Sequence, residues 1–341
     1  RKFVDTLPLL GPTGANNRGQ YLQVASAEPL THAYAPPLNE SDYYEIALVE
    51  FEQSLHTDLP PTRFRGYVQL ETPWQLANGH SASVPLFYPD GVTPILKPDG
   101  VTQYVAVDLP RYLGPLIVSS RDRAVRIKFV NLLPNTANGG DLFIPVDETI
   151  MGAGEGPVEI TPGVMAKFPQ NRATIHLHGG LTPWISDGTP HQWITPADEV
   201  TPYPKGVSVV NVPDMADPGP GAMTFYYTNQ QSARLMFYHD HAYGTTRLNV
   251  YAGEAAGYLL TDQVEQDLIN GTNISGVNPN NLQLLPDVGI PLIIQDKTFV
   301  DALTIAAQDP TWRWDLDAGG NPKTGSLWVP SVYMPAQNPW D

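Results

Sequence analysis

Apolar and polar residues alternate along "AVRIKFVNLLP" (124–134) and over the first half of "YYEIALVEFEQSLH" (43–56). A period of two sends alternate side chains to opposite faces of a sheet, so both segments predict half-buried strands. "ATIHLHGG" (173–180) and "ARLMFYHDH" (233–241) are β-rich segments ending in their histidines, and "LNVYAGEAAGYLLT" (248–261) predicts the closing strand of a first domain. Within residues 72–110, the two Pro-Asp-Gly turns of "PDGVTPILKPDGV" predict a hairpin-like excursion or a long surface loop. Residues 262–289 are polar and turn-rich, as a linker is, and the apolar run "IPLIIQD" (290–296) predicts a new strand. The expected organisation is a first domain over 1–261 with an insertion near 72–110, a linker over 262–289, and a second domain over 290–341. That second domain is expected to be incomplete, because about 50 residues fall well short of the roughly 100 in a β-sandwich.

Composition agrees with strands. Gly and Pro number 29 and 35 in 341 residues, which favours short strands joined by turns and loops and makes an all-β architecture the expectation. The net charge of −16, with only 19 Lys and Arg scattered along the chain, excludes nucleic acid and anionic membrane as partners. No apolar run approaches the roughly 18–20 residues that span a bilayer. The start "RKFVDTLPLL" has no long apolar core of a secretory signal, so the chain is expected to be leaderless or already processed. The count of 0 cysteines removes disulfides and thiolate metal ligands together.

Of the 8 histidines, His176 and His178 form one His-x-His unit and His239 and His241 a second. On a strand, residues i and i+2 share a face, so each unit aims two imidazoles into one space, about 7 Å apart at Cα. A single such pair is as often incidental as not, whereas two pairs that each end a strand point to metal. With no cysteine and no second carboxylate nearby, copper or zinc is favoured over softer and harder choices. Gly179 and Gly180 are read as removing bulk beside the first pair. Asp240 falls between two ligands and points to the opposite face of its strand, as a structural or supporting group. His56 is read as structural, His32, His80 and His191 as solvated loop residues, and Tyr243, Arg247 and Asn249 as packing residues.

"HLHGGLTPWISDG" and "YHDHAYGTTRLNVYAGEAAGYLL" resemble the first and second copper-binding motifs of the multicopper oxidases. "LHTDLPPTRFRGY" (55–67), "GPLIVSSRDRAVRIKFVNLLP" (114–134) and "IPLIIQDKTF" (290–299) are similar to the branch that contains bacterial spore-coat laccase, bilirubin oxidase and phenoxazinone synthase. The resemblance implies a cupredoxin-like Greek-key β-sandwich followed by the start of a second one. It implies copper, four ions per completed enzyme, with a type 1 ion in a third domain and a trinuclear cluster held by eight histidines between the first and third. Carried over by position, His176 binds the type 2 copper, His178 and His239 one type 3 copper, and His241 the other. Asp187 matches the family's acidic residue beside the cluster and is expected to relay protons, the alternative being an Asx-turn residue before Gly188.

The family's remaining motifs, His-Pro-x-His-x-His and His-Cys-His, are absent, and without cysteine no type 1 site forms here. The resemblance therefore implies the N-terminal part of a laccase-like multicopper oxidase, completed by a companion chain or C-terminal fragment that carries the type 1 copper domain. The end at Asp341, in proline-rich sequence, is where a nick in a longer precursor would fall. The completed enzyme would oxidise a small reducing substrate (a phenol, aromatic amine, tetrapyrrole or Mn(II)) and reduce O2 to water. An extracellular, periplasmic or cell-surface location is expected. The alternative is a non-catalytic copper-binding fragment or subunit, and a zinc hydrolase is a distant third.

Overall fold

Val125, Ile127 and Phe129 enter a buried core while Arg126 and Lys128, between them, form ion pairs with Asp214 and Glu45. The period of two is thus realised as one inward and one outward face. The computed structural model describes residues 1–34, 39–80, 82–287 and 289–329. Nine strands build the sandwich: β1 (Glu28–Thr31), β2 (Glu40–Gln53), β3 (Thr62–Gln69), β4 (Ile117–Ser120), β5 (Ala124–Asn131), β6 (His176–His178), β7 (Ala222–Tyr227), β8 (Arg234–His239) and β9 (Ala255–Thr261).

In the first sheet β1 and β3 follow each other along one edge of β2, β5 runs parallel along its other edge, and β7 pairs antiparallel with β5. The second sheet has the order β6-β8-β9-β4, with only β9 and β4 parallel. The two sheets face each other across one core. Tyr44, Ile46, Leu48, Tyr67, Met223 and Phe225 enter it from the first sheet and Leu177, Met236, Tyr238, Ala256 and Tyr258 from the second. This is the expected all-β, cupredoxin-like sandwich.

The excursion 72–110 is more than a loop. After a short helix, Pro73–Asn78, Val84–Pro85 pairs with Val105–Ala106, and the two PDGVT copies, at 89–93 and 98–102, make the same turn. In each, the aspartate accepts two backbone N–H bonds and one threonine hydroxyl bond. Leu86, Ile95, Tyr104 and Ala106 pack on Ala47, Val49, Val68 and Val130, so the excursion covers the outer face of the first sheet. That second layer explains why β2 is buried on both faces.

Two element assignments change. "LNVYAG" begins no strand: Thr246–Ala252 is an α-helix, because Leu248 and Ala252, four apart, are buried together against Phe64 and Leu142. Gly253 ends it and β9 starts at Ala255. "IPLIIQD" forms no strand, since among the described residues none pairs with it, and Ile290, Leu292 and Ile294 remain exposed. Residues 262–289 open with a helix, Gln263–Asn270, capped by the Asp262 carboxylate on the Glu265 N–H. Beyond them Thr298–Phe299 pairs with Leu327–Trp328, and Val300, Ile305 and Trp312 form a small core of their own. Leu327 and Val329 join the cluster of Phe64, Leu248 and Ala252, which ties this segment to the first sandwich. The last residues of the chain, 330–341, lie outside the described residues. No helix among the described residues is long and apolar enough to cross a membrane.

Candidate metal centre

Strands β6 and β8 pair with His176 opposite His239 and His178 opposite Phe237. Leu177, Met236 and Tyr238 occupy the core side, so alternation places His176, His178, Phe237 and His239 together on the outward face of the second sheet. His241 follows two residues past the end of β8. The five rings form one group. His176 lies 5.8 Å from His178, 5.4 Å from His239 and 4.8 Å from His241 between ring centres. Phe237 stacks on His178 at 4.6 Å and on His239 at 5.1 Å, which orients both imidazoles.

Hydrogen bonds set the tautomers. A carbonyl only accepts, so His176 Nδ1–H donates to the Asp187 carbonyl (2.6 Å) and His239 Nδ1–H to the Asp240 carbonyl (2.6 Å), leaving each Nε2 lone pair open. His178 Nδ1 faces His239 Nε2 at 3.2 Å, a separation suited to two imidazole nitrogens about 2.0–2.1 Å from one ion. Ligand atoms of His176, His178 and His239 all lie within 4.8 Å of one another. His241 stands outside that triad, with a buried Nδ1 that has no hydrogen-bond partner. Burial pushes the His239 imidazole down to about 4, aided by the neighbouring histidines and opposed by the Asp240 carbonyl. Burial lowers His241 as well, and His176 adds to this. Both rings are therefore neutral at pH 7, the form that binds metal.

Asp240 clamps the two histidine segments to each other. Its Oδ1 accepts from the Thr174 N–H (2.9 Å), two residues before His176, and its Oδ2 from the Ala242 N–H (3.0 Å), one residue after His241. Asn249 Nδ2 completes the set at 2.9 Å, so Asn249 is a polar brace and not a packing residue. Burial raises the Asp240 carboxyl to about 6 against these bonds and the nearby Arg172. Arg172 is itself buried, donating to the carbonyls of Pro169 and Tyr243 at 2.6 Å and to that of Gly152. Glu254 is fully buried beside Asp240, its carboxyl oxygens without partners, and burial raises it well above the usual range. Phe237, Arg172 and Glu254 carry no motif spacing of their own. Only the strand register, which pairs Phe237 with His178, would have singled one of them out.

Asp187 belongs to the site twice over. Its backbone carbonyl fixes His176, and its Oδ1 accepts from the Thr182 hydroxyl at 2.6 Å and lies 3.7 Å from His176 Nδ1. The Asp187 side-chain bond runs back to Thr182, not forward to a backbone N–H as an Asx turn requires. Gly188 has φ +64°, and a Cβ there would overlap the Ile175 carbonyl oxygen, so the turn approaches β6 more closely than any side chain permits. The role expected for Gly179 and Gly180 is revised. Gly179 supplies a backbone of φ +81° in open space, and Gly180 makes room for Leu177, not for the cluster.

The other histidines divide. His56 Nδ1 accepts from the Asp58 N–H at 3.0 Å, a structural use. His80 is not solvated: its buried ring pairs with Glu71 at 2.8 Å. His32 Nε2 bonds Ser41 Oγ at 2.7 Å, and His191, exposed, rests on Tyr243.

No family model matches the chain. The laccase of Bacillus subtilis (strain 168) is 29% identical over 299 residues, covering 87% of this chain and 38% of that protein. The laccase of Bacillus stratosphericus is 31% identical over 260 residues, 75% of this chain and 34% of the relative. The chain belongs to the multicopper oxidase family. This multicopper oxidase chain thus spans little more than a third of either laccase. Among solved structures, the McoA multicopper oxidase of Aquifex aeolicus aligns over 93% of this chain and 39% of its own, at 18% identity with a TM-score of 0.39.

Proposed function

We propose that this chain contributes His176, His178, His239 and His241 to the trinuclear copper site of a laccase-like oxidase. That enzyme couples one-electron oxidation of a small reducing substrate to the reduction of O2 to water. The observation that carries the reading is the convergence of four imidazoles, three on one sheet face and His241 just past the strand end, two of them locked by carbonyls into the tautomer with Nε2 open. His178 and His239 share one ion, His176 holds the type 2 ion, and His241, outside the triad, serves the third. Copper, when bound, supplies the redox chemistry.

The chain's own groups position and protonate. The carbonyls of Asp187 and Asp240 hold His176 and His239, and Phe237 fixes ring planes. The Asp187 carboxylate, with one oxygen on Thr182, takes up and delivers protons consumed as O2 is reduced. The outward aim of the histidines supports completion from outside the sandwich. Val118, Leu235 and Phe237 leave apolar surface exposed (37%, 40% and 38%) on the face that carries them, a surface suited to a companion chain or C-terminal fragment with the type 1 copper domain. The same reading carries an extracellular, periplasmic or cell-surface location. The substrate is bound largely by the companion, and phenols, aromatic amines, tetrapyrroles and Mn(II) are the classes to assay.

Copper stoichiometry tests the reading. The completed enzyme should hold four ions, whereas this chain alone should hold fewer, lack the blue colour of a copper–thiolate site and show no oxidase activity. Replacing His178, His239 and His241 together should abolish turnover and the coupled pair. Replacing His176 should remove the type 2 signal in electron paramagnetic resonance. Full copper content and turnover in the triple variant would refute the assignment. The count of 0 cysteines favours a second reading, a non-catalytic copper-binding subunit, which predicts no gain of oxidase activity with any companion.

A further inference from the structure

The turn that carries the Asp187 carbonyl does not hold itself in place. Trp184–Ser186 is a single 3-10 turn, and its last carbonyls find little within it: the Asp187 N–H reaches the Trp184 carbonyl only at 3.4 Å. Gln192 supplies what is missing. Its side chain is fully buried, with Nε2 donating to the carbonyls of Trp184 (3.1 Å), Ile185 (3.3 Å) and Ser208 (3.1 Å) and Oε1 accepting from the Thr189 N–H (2.8 Å). Three carbonyls around one atom and an N–H at the other leave no doubt which end of the amide is NH2. Ile185 and Trp184 lie two and three residues before Asp187, and Thr189 two after it. One amide therefore grips the turn on both sides of the carbonyl that bonds His176.

The grip is registered to the ligand it serves. Two residues past Gln192, Ile194 exchanges two backbone bonds of 2.9 Å with Ala173, three residues before His176. The Gln192 backbone and the His176 backbone are thus tied directly, and the amide spans from one to the turn that faces the other. Ser186 Oγ, accepting from the Tyr226 N–H of β7 at 2.9 Å, and Gly188, close against the Ile175 carbonyl, seat the turn against the two sheets. Among the described side chains, Gln192 alone bonds its backbone on both sides of Asp187. A neutral imidazole can carry its proton on either nitrogen, and the 2.6 Å bond to the Asp187 carbonyl decides the matter for His176. We propose that Gln192 is a positioning residue for His176: it holds the 184–189 turn so that the Asp187 carbonyl is aimed at Nδ1–H, which keeps the Nε2 lone pair open for metal.

The test reads the tautomer and needs no copper. Long-range proton–nitrogen nuclear magnetic resonance on the purified, metal-free protein near pH 8 distinguishes an imidazole protonated on Nδ1 from one protonated on Nε2. In the wild type, His176 and His239 should both carry the proton on Nδ1. Gln192→Met removes every bond of the amide at similar length, and should move His176 to a mixture rich in the Nε2–H form while His239, held by the Asp240 carbonyl, stays locked. Gln192→Asn keeps an amide but is one methylene too short to reach all four groups; it should give a smaller shift of the same kind and decides the matter if the methionine variant does not fold. Gln69→Met removes an equally buried amide that bonds Ser26 twice, and should leave both tautomers locked, so a general loss of packing is told apart from a loss of aim. An unmoved His176 in the folded Gln192 variant, or an equal shift in Gln69→Met, overturns the proposal. A second arm rests on the assignment of His176 to the type 2 ion: in the completed enzyme Gln192→Met should weaken retention of that ion by about tenfold or more, the usual scale for losing support behind a metal-bound histidine. A freed His176 with type 2 copper fully retained would overturn that assignment and leave the positioning role standing.

Discussion

Asp240→Asn exchanges one oxygen of the buried clamp for an NH2 group, and its effect on stability should change with pH. Burial holds the Asp240 carboxyl at about 6, against an ordinary 3.8. A carboxyl raised in the fold keeps its proton longer there than in the unfolded chain, so the native state binds more protons between those two values. Stability from this group therefore falls as pH rises through that window, and the full cost, about 3 kcal/mol, is present once the carboxylate is ionised above it. Asparagine never ionises and escapes that cost. Its carbonyl can take the place of Oδ2 and accept from Ala242 and Asn249, but its NH2 then meets the Thr174 N–H, donor against donor. That conflict costs about 1–3 kcal/mol at every pH.

The variant should thus be less stable than wild type by about 1–3 kcal/mol near pH 4 and equal or slightly more stable near pH 8. Urea denaturation of the metal-free proteins at both pH values measures it. His239 and Glu254 also titrate, but they do so in both proteins and cancel in the comparison to first order. Parallel stability curves for the two proteins would refute the reasoning, because they would mean that Asp240 ionises in the fold as it does in the unfolded chain.

Gly188→Ala forces a Cβ into the Ile175 carbonyl at φ +64°, and should destabilise the fold by about 3 kcal/mol or more, read as a fall in Tm. Phe237→Ala removes the ring stacked on His178 and His239. Since Phe237 is 38% exposed, the loss should be about 2 kcal/mol, with the fold retained and copper affinity lowered in calorimetric titration. Asp187→Asn keeps the Thr182 hydroxyl bond and the backbone carbonyl on His176 but carries no proton. In the completed enzyme copper content should be unchanged while reoxidation by O2 slows by about tenfold or more, and unchanged reoxidation across the pH range would assign Asp187 to the turn.

The fold was legible where one face of a strand enters the apolar core and the other carries polar side chains with partners of their own. Residues 124–131 alternate because Arg126 and Lys128 have partners outside the core, and the pattern is visible without the structure. It fails where context decides. "LNVYAG" holds β-branched and aromatic residues that suit a strand, yet its helix is stabilised by burying Leu248 and Ala252 against Phe64 and Leu142, residues more than a hundred positions away in sequence. "IPLIIQD" has the composition of a strand, but a strand also needs a neighbour's backbone, and no described residue offers one.

The site divides along the same line. Four histidines could be named from spacing because i, i+2 repeats are local, whereas the groups that hold them reach across the chain: Asp240 to Thr174, Arg172 to Gly152 and Tyr243, Phe237 to His178. Alternation carries one consequence further. Leu177 and Tyr238 must face inward to complete the core, and this forces His176, His178 and His239 outward, so the sandwich cannot enclose the cluster with its own hydrophobic interior. This chain itself buries His239 on that face but leaves His178 exposed. The same register that brings the triad together also leaves Leu235 and Phe237 exposed beside it, the apolar surface on which the proposed companion would seat.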